Sequence, residues 1–216
     1  MRIVLQIVLA VAIVFLGYMV FQSINVPMQF EKIKNKRDRE VIAKLKDIRE
    51  AQRAYVLSHG KYTGSFDSLE NFIRTGNIPL IKRTGVLTDE MLADGINEEK
   101  AIKKGLIQID TIKVPVMDSL FGKRPNFKVE NMKYLPIPDK KETFDMAAKE
   151  LPTESGLLVP VYEVKVHYDK LFQDLREGEY NEEYRADTME LVRLNKYIGL
   201  KIGSLEEAND GAGNWE

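Results

Sequence analysis

The sequence predicts an α+β protein in which an N-terminal transmembrane helix continues into an amphipathic stem helix packed on a mostly antiparallel β-sheet domain. Three observations carry that prediction. An uncharged apolar run opens the chain, a charged segment with apolar residues at helical spacing follows it, and strand-like stretches occupy the second half. The boundaries read as a transmembrane signal anchor over residues 1–24, a stem over 25–59 and a globular domain over 60–216.

Ile3 to Phe21 carries no charge and one strongly polar side chain, Gln6. At about 1.5 Å per residue the run reaches roughly 28 Å, close to the thickness of a bilayer core. Each Ile, Leu, Val or Phe near the centre favours insertion by about 0.3–0.6 kcal/mol, so a single Gln does not cancel the sum. A cleaved signal peptide is the competing reading. The run is longer than the usual ~7–15-residue apolar segment of such peptides, and no small-x-small site follows it, so a retained anchor is expected. Membrane lipid is the first expected partner.

In the stem, Val41, Leu45, Ile48, Gln52 and Tyr55 recur at spacings of four and three, and Ile42 and Val56 broaden the stripe. That is helix periodicity, with Lys, Arg, Asp and Glu on the other faces. Pro27 fits a first turn or marks a kink after the anchor, and Gly60 offers the C-terminal break. The stripe is too short for a long coiled-coil seam and is expected to pack on the chain's own domain.

Charge is uneven although the net is −1. From Phe30 to Ser58 nine basic residues face five acidic ones, a surplus of +4, and with Arg2 the remainder holds −6. A basic segment beside a membrane can touch anionic headgroups, but a solvated helix face is the simpler reading. Nucleic-acid binding needs a concentrated basic surface on a recognisable module, and neither is present, so no nucleic-acid partner is expected.

Beyond Gly60, Ser65 caps a short helix through Phe66, Leu69, Phe72 and Ile73. Gly76, Pro79 and Gly85 punctuate the next segment, and Thr88 to Lys104 is polar with short helical turns. Strands are expected at Leu106–Val116, Asn126–Leu135 and Leu157–Tyr168, with a short closing strand within Tyr197–Leu205. In the third, Tyr162, Val164 and Val166 alternate with Glu163, Lys165 and His167, as in a half-buried antiparallel strand. Pro160 puts the start of that strand at an edge or bulge. Phe172–Leu175 and Thr188–Tyr197 read as helical.

No catalytic set emerges, and no cofactor or metal is expected. The chain has no cysteine, which removes disulfides, thiolate metal sites and thiol catalysis. His59 and His167 lack metal-ligand spacing; His59 suits a helix end and His167 a solvent face. Gly211-Ala212-Gly213 is followed by only three residues, too few for a phosphate-cradling helix. Asp174, Glu177, Glu179, Glu182, Glu183 and Asp187 lack the spacing of a calcium loop and read as solvated surface. Ser65, Ser155 and Ser204 stand without a nucleophile context.

The order of parts, and the segment AKLKDIREAQRAYVLSHGKYTGSFDSL at residues 43–69, resembles type IV pilins and the pseudopilins of type II secretion. The carriers are Ile48, Ala51 and Tyr55 on a helix, then Gly60-Lys61-Tyr62, then Ser65 to Leu69. The resemblance covers roughly the first third of the chain. It implies a single-pass helix packed on an antiparallel sheet and a role in an envelope assembly. Two marks of that family are missing, a leader ending in Gly before Phe or Met and a Glu five residues into the apolar run, so assembly through the usual processing step is not implied. The second half, with VPVYEVKVHYDKLF (159–172) and YIGLKIGSLEEANDGAGNWE (197–216), looks like a membrane-anchored envelope family of the Bacteroidetes, which implies a location and no activity.

The expected function is therefore a non-enzymatic, single-pass component of the bacterial inner membrane, structural or secretion-associated, with protein partners and room for a homo-oligomer. A membrane-tethered enzyme acting on an envelope polymer is the alternative, and a small-molecule binding domain a third. The short N-terminal flank and the pilin-like order place the domain in the periplasm, whereas the basic residues after the span favour the cytoplasm. Val41, Leu45, Ile48, Tyr55 and Trp215 are the candidate interaction residues. Trp215, the chain's one Trp, closes a turn-rich tail and is expected to dock near Leu200 and Ile202.

Overall fold

The computed structural model describes residues 1–86, 88, 91, 97–137, 141–153 and 156–216. One helix, α1 (Arg2–His59), runs unbroken for 58 residues, roughly 87 Å at the α-helical rise. Its first part is long and apolar enough to cross a membrane. There the large apolar side chains from Ile3 to Ile24 are each more than half exposed, touching none of the domain's core. Pro27 lies inside the helix, where its ring nitrogen has no hydrogen for the carbonyl four residues back. The helix ends at Gly60, whose φ of 72° lets its N–H turn back to the Val56 carbonyl.

The stem stripe is the spine of the core. Val41, Leu45, Ile48 and Ala51 are fully buried. They share one core with Leu69 and Ile73 of α2 (Phe66–Thr75), and with Val164, Val166, Leu200 and Ile202 of the sheet. The Ser65 hydroxyl caps α2 by accepting from the Ser68 N–H at 3.4 Å.

After α2 come β1 (Asn77–Thr84), α3 (Glu98–Lys103), β2 (Gln108–Pro115) and α4 (Val116–Phe121). β1 and β2 form a two-stranded antiparallel ribbon, from Asn77 opposite Pro115 to Thr84 opposite Gln108. A three-stranded antiparallel sheet follows, in the order β3 (Asp145–Pro152), β4 (Leu158–His167), β5 (Gly199–Gly203). Val164 faces Ile202 and Val166 faces Leu200 across the β4–β5 ladder, all of them buried beneath the stem. Between β4 and β5 lie α5 (Tyr168–Leu171) and α6 (Asn181–Arg193).

Several expected elements differ. Asn126–Leu135 is not a strand but holds a 3-10 turn at Val129–Asn131 and a single bridge from Tyr134 to Thr143. Its buried residues, Val129, Met132 and Leu135, recur every third position, a turn spacing that does not alternate across a pleat. β1 fell in the segment read as punctuated; a two-stranded ribbon leaves every strand an edge, so Pro79 is tolerated. β3, with the helix-favouring sequence DMAAKELP, becomes a strand because β4 offers it a full ladder from Asp145–Lys165 to Pro152–Leu158. α6 begins seven residues earlier than expected, with Glu182 and Glu183 in its first turn where the helix dipole favours them. The helix expected at Phe172–Leu175 is displaced onto Tyr168–Leu171, capped by the His167 ring nitrogen accepting from the Asp169 N–H. β4 is central, yet β5 pairs only with Glu163–His167, so Pro160 sits beyond the doubly paired stretch. The polar Thr88–Lys104 segment lies partly outside the described residues; α3 is the helical turn seen within it.

Candidate functional site

The stem directs much of its positive charge at the domain. Arg37 forks onto Asp174, and Lys34 meets Asp187 at 2.8 Å. Lys44 donates to the Tyr134 and Asn131 carbonyls at 2.5 and 2.9 Å. Arg49 pairs with Glu216 at 2.8 Å and Arg53 with Asp210 at 2.9 Å. In return Asp47 accepts two bonds from Arg124, at 3.0 and 2.8 Å. Lys34, Arg37 and Lys44 thus depart from the solvated face expected from sequence, while Lys32, Lys36, Arg39 and Lys46 are exposed as that reading had it. The excess of −6 in the remainder draws a basic stem onto it, and two acids of the Asp174–Asp187 stretch, Asp174 and Asp187 themselves, serve this contact.

One buried polar residue sets the turn after the stem. The Gln52 amide lies in the apolar stripe, fully buried. Its Nε2 donates to the Thr63 carbonyl at 2.6 Å, and its Oε1 accepts from the Thr63 N–H at 3.1 Å. Both backbone groups of Thr63 are thereby satisfied inside the core.

Where the stem, α6, β5 and the tail meet, the surface opens into a groove of about 660 Å³. Asn35, Asp38, Arg39 and Ile42 of α1 form one wall. Tyr197, Leu200 and the tail residues Asn214 and Trp215 form the other, and Leu191 and Lys196 also belong to the lining. Asp38 is the unusual member. Its Oδ2 accepts from the Tyr168 hydroxyl at 3.2 Å, while its Oδ1 is buried without a donor among the described residues. Burial pushes the Asp38 carboxyl up to about 6, against the opposing pull of Lys34 and of the Tyr168 hydroxyl. Burial and the neighbouring Asp38 charge push the Tyr168 phenol up as well.

The tail lies along the outer edge of β5 as a short mock strand. Gly213 bridges Ile202, and Asn214 exchanges two bonds with Lys201: its N–H donates at 3.1 Å and its Oδ1 accepts at 3.0 Å. The Asn214 Nδ2 also donates to the Gly199 carbonyl at 2.8 Å. Trp215, half-buried, lies against Gly213, where any side chain would meet the indole at 2.6 Å. Only glycine leaves the ring that bed.

Among the sequence-selected residues, Val41, Leu45 and Ile48 are fully inside the core and offer no surface. Tyr55 is half-buried beside a second open groove of about 670 Å³, stacked on His59 with ring centres 4.1 Å apart and edge-on to Phe72 at 5.1 Å. Trp215 alone among them reaches the groove that holds Asp38. For Arg37 the sequence does carry a signal, its spacing from the apolar stripe. Arg37 falls in phase with the stripe, four residues before Val41, and a charged residue in an apolar phase usually has a buried partner.

The remaining candidates have structural partners. His167 caps α5 and faces Asp169, and Ser204 accepts from the N–H groups of Glu206 and Glu207 at 3.1 and 3.4 Å. Ser155 lies outside the described residues. Among the described residues no three His, Asp or Glu side chains converge as a metal site requires. Comparison with family models, with curated proteins and with solved structures finds no match. Fold and groove therefore define the class: an α+β domain clamped on one long helix whose free part can span a membrane.

Proposed function

We propose that the protein is a membrane-anchored, non-enzymatic component of the bacterial envelope, pilin- or pseudopilin-like in architecture, that serves in an assembly or secretion-associated complex. One observation carries this reading. A single unbroken helix joins a bare apolar segment to a domain fastened along the stem by the ion pairs of Lys34, Arg37, Asp47, Arg49 and Arg53. Such a build fixes a domain at a set height above a bilayer, which suits a part that must dock with neighbours. The domain is placed in the periplasm of a single-pass inner-membrane protein. The pilin-like order of parts supports that orientation, against the basic residues that follow the span.

A reporter active only outside the cytoplasm, fused after Glu216, tests the orientation: activity is expected, and silence beside an active cytoplasmic reporter reverses it. Cross-linking in intact cells, followed by purification in mild detergent, tests the assembly role. Discrete adducts with envelope proteins or with a second copy are expected; an exclusively monomeric product removes the reading.

The alternative, a membrane-tethered enzyme acting on an envelope polymer, is favoured by the raised Asp38 carboxyl in a groove. Among the described residues that line the groove none is a second carboxylate, histidine, serine or threonine, although Asp187 lies near enough to act on Asp38. Turnover of an envelope polysaccharide that vanishes in Asp38→Asn would establish it.

A further inference from the structure

We infer that copies of this chain pack side by side, the basic stripe on the back of one stem against the acids at the start of α6 in the next copy. The inference rests on the assembly reading and names its partner, a second copy met through two different surfaces.

The basic half follows from helix phase. At 3.6 residues per turn, Lys32, Lys36 and Arg39 fall together on the side of α1 opposite Phe30, Arg37 and Val41, which hold the domain. All three are exposed, and none forms an ion pair among the described residues. The Arg39 Nε donates to the Asn35 carbonyl at 3.0 Å, which leaves its terminal nitrogens for a carboxylate. Lys46, also exposed, lies about two turns further along. The cations that serve the chain's own acids, Lys34, Arg37, Arg49 and Arg53, are a separate set.

The acidic half is equally unspent. Glu177 and Glu179 precede α6 and Glu182 lies in its first turn. All three are exposed and without an ion pair among the described residues. The neighbouring Arg176 is taken by Asp169 at 3.7 Å. Both halves sit at one level of the stem. The Tyr180 ring lies against Phe30, with centres 6.3 Å apart, and Asp187 meets Lys34, so the start of α6 runs alongside the residues that carry the stripe.

This match in level selects a second copy. Chains anchored through parallel helices in one membrane meet at equal heights, so stripe and acids come together without a shift along the axis. Anionic headgroups lie in a layer across that axis, whereas Lys32 to Arg39 runs about 10 Å along it. With a net charge of −1 per chain, a growing row gathers little charge to oppose it. Exposed ion pairs are weak one by one, so confinement in the membrane is needed to populate the contact. Two unlike surfaces meet, which gives rows or rings rather than a closed two-fold pair.

The chain has no cysteine, so single-cysteine variants report the contact without background. Full-length Lys36→Cys and Glu179→Cys, carrying different tags, are co-expressed and oxidised in isolated membranes. A mixed disulfide dimer is expected in excess of either homodimer, and about 0.5 M salt before oxidation should lower its yield several-fold. Reversing the stripe on the first copy (Lys32→Glu, Arg39→Glu), or the acids on the second (Glu177→Lys, Glu182→Lys), should cut the yield about tenfold. Making both reversals together should restore it, which a variant that had merely misfolded could not do. No mixed dimer overturns the proposal, as does a yield indifferent to the reversals or not restored by the pair. A Lys36→Cys homodimer as abundant as the mixed one also overturns it, since like stems would then be in contact. Capture of a different envelope protein at Lys36→Cys reassigns the stripe and leaves the assembly reading standing; an exclusively monomeric chain under general cross-linking removes both.

Discussion

Arg37 grips Asp174 with both terminal nitrogens, at 2.6 and 2.5 Å, while its Nη1 also donates to the Leu171 carbonyl at 3.1 Å. The two residues are 137 positions apart in the chain, so the contact fastens the stem to the segment that follows α5. Arg37 is buried and Asp174 is partly open to solvent. Replacing Arg37 by Ala leaves a carboxylate and a carbonyl short of donors. With the exposure of Asp174 screening part of the effect, a loss of about 1–3 kcal/mol is expected in denaturant unfolding. Arg37→Lys should recover less than half of it, since an ammonium cannot form the fork. Full recovery by Lys would mean that charge alone holds the contact.

Asp38 should work against folding at neutral pH. Its carboxyl is raised to about 6 from the ordinary 3.8, so the folded state binds the proton more tightly than the unfolded one. Its own contribution to stability is then greatest below about pH 4, falls as pH rises through about 6, and levels above that. Asp38→Asn should remove this slope. It should also raise stability at pH 7 by about 1–3 kcal/mol, the upper end corresponding to the full shift at 1.36 kcal/mol per pH unit. Unfolding curves of both proteins at a series of pH values decide the matter. A less stable Asn variant at pH 7 would show that the ionised carboxylate makes a net favourable contact.

Gln52 offers a sharper case of polar burial. Gln52→Leu preserves volume but strands the N–H and C=O of Thr63 in the core, which should cost about 2–4 kcal/mol. Gln52→Glu keeps an acceptor for the N–H but loses the donor and adds a buried charge, so it should be at least as harmful at neutral pH and milder in acid. Amide hydrogen exchange at Thr63 supplies a local readout: protection should collapse in the Leu variant well before global unfolding.

The long helix, its stop at Gly60, the Ser65 cap and the β4 alternation were legible because each rests on local spacing or on one residue's conformational habit. Strands β1 and β3 were not. NIPLIKRT carries a Pro, and DMAAKELP consists largely of helix formers, so each becomes a strand through a distant partner that the sequence does not display. The groove was half legible. A lone Trp in a turn-rich tail announced a docked ring, but that Asp38 and Arg39 would face it depends on which side of a 58-residue helix meets the tail. The ion pairs linking the stem to α6 and the tail were hidden for the same reason: charge excess is additive along a chain, while pairing is a fact of three dimensions.

Leu45→Ala should cost about 2–5 kcal/mol, because Leu45 is fully buried among side chains that cannot all close the gap. Sequence alone would offer Lys44 as the silent control. The structure disqualifies it, since Lys44 donates to the Tyr134 and Asn131 carbonyls, and Lys44→Ala should itself cost about 1–2 kcal/mol. Lys36, exposed on the stem, is the better control and should be near neutral. Comparable losses at Lys36 and Leu45 would mean that the stem does not pack on the domain as described.

The tail makes the last prediction. Gly213 to Glu216 contribute the bridge to Ile202, the three Asn214 bonds to Gly199 and Lys201, the Glu216 ion pair with Arg49 and the packing of Trp215. Against these stands the entropy of ordering four residues, about 1–2 kcal/mol each for the backbone. The indole is the one group large enough to offset it, at about 25 cal/mol for each Å² of apolar surface covered, whereas the exposed Arg49–Glu216 pair adds little. The net should be small: removing residues 213–216 should lower stability by about 1–3 kcal/mol, and Trp215→Ala alone should account for most of it. Trp215 emission should shift to longer wavelength on unfolding, since the ring leaves a half-buried bed for water. If the truncated chain is as stable as the intact one and Trp215 already emits as a fully exposed indole, the tail is not docked along β5, and the groove loses its second wall.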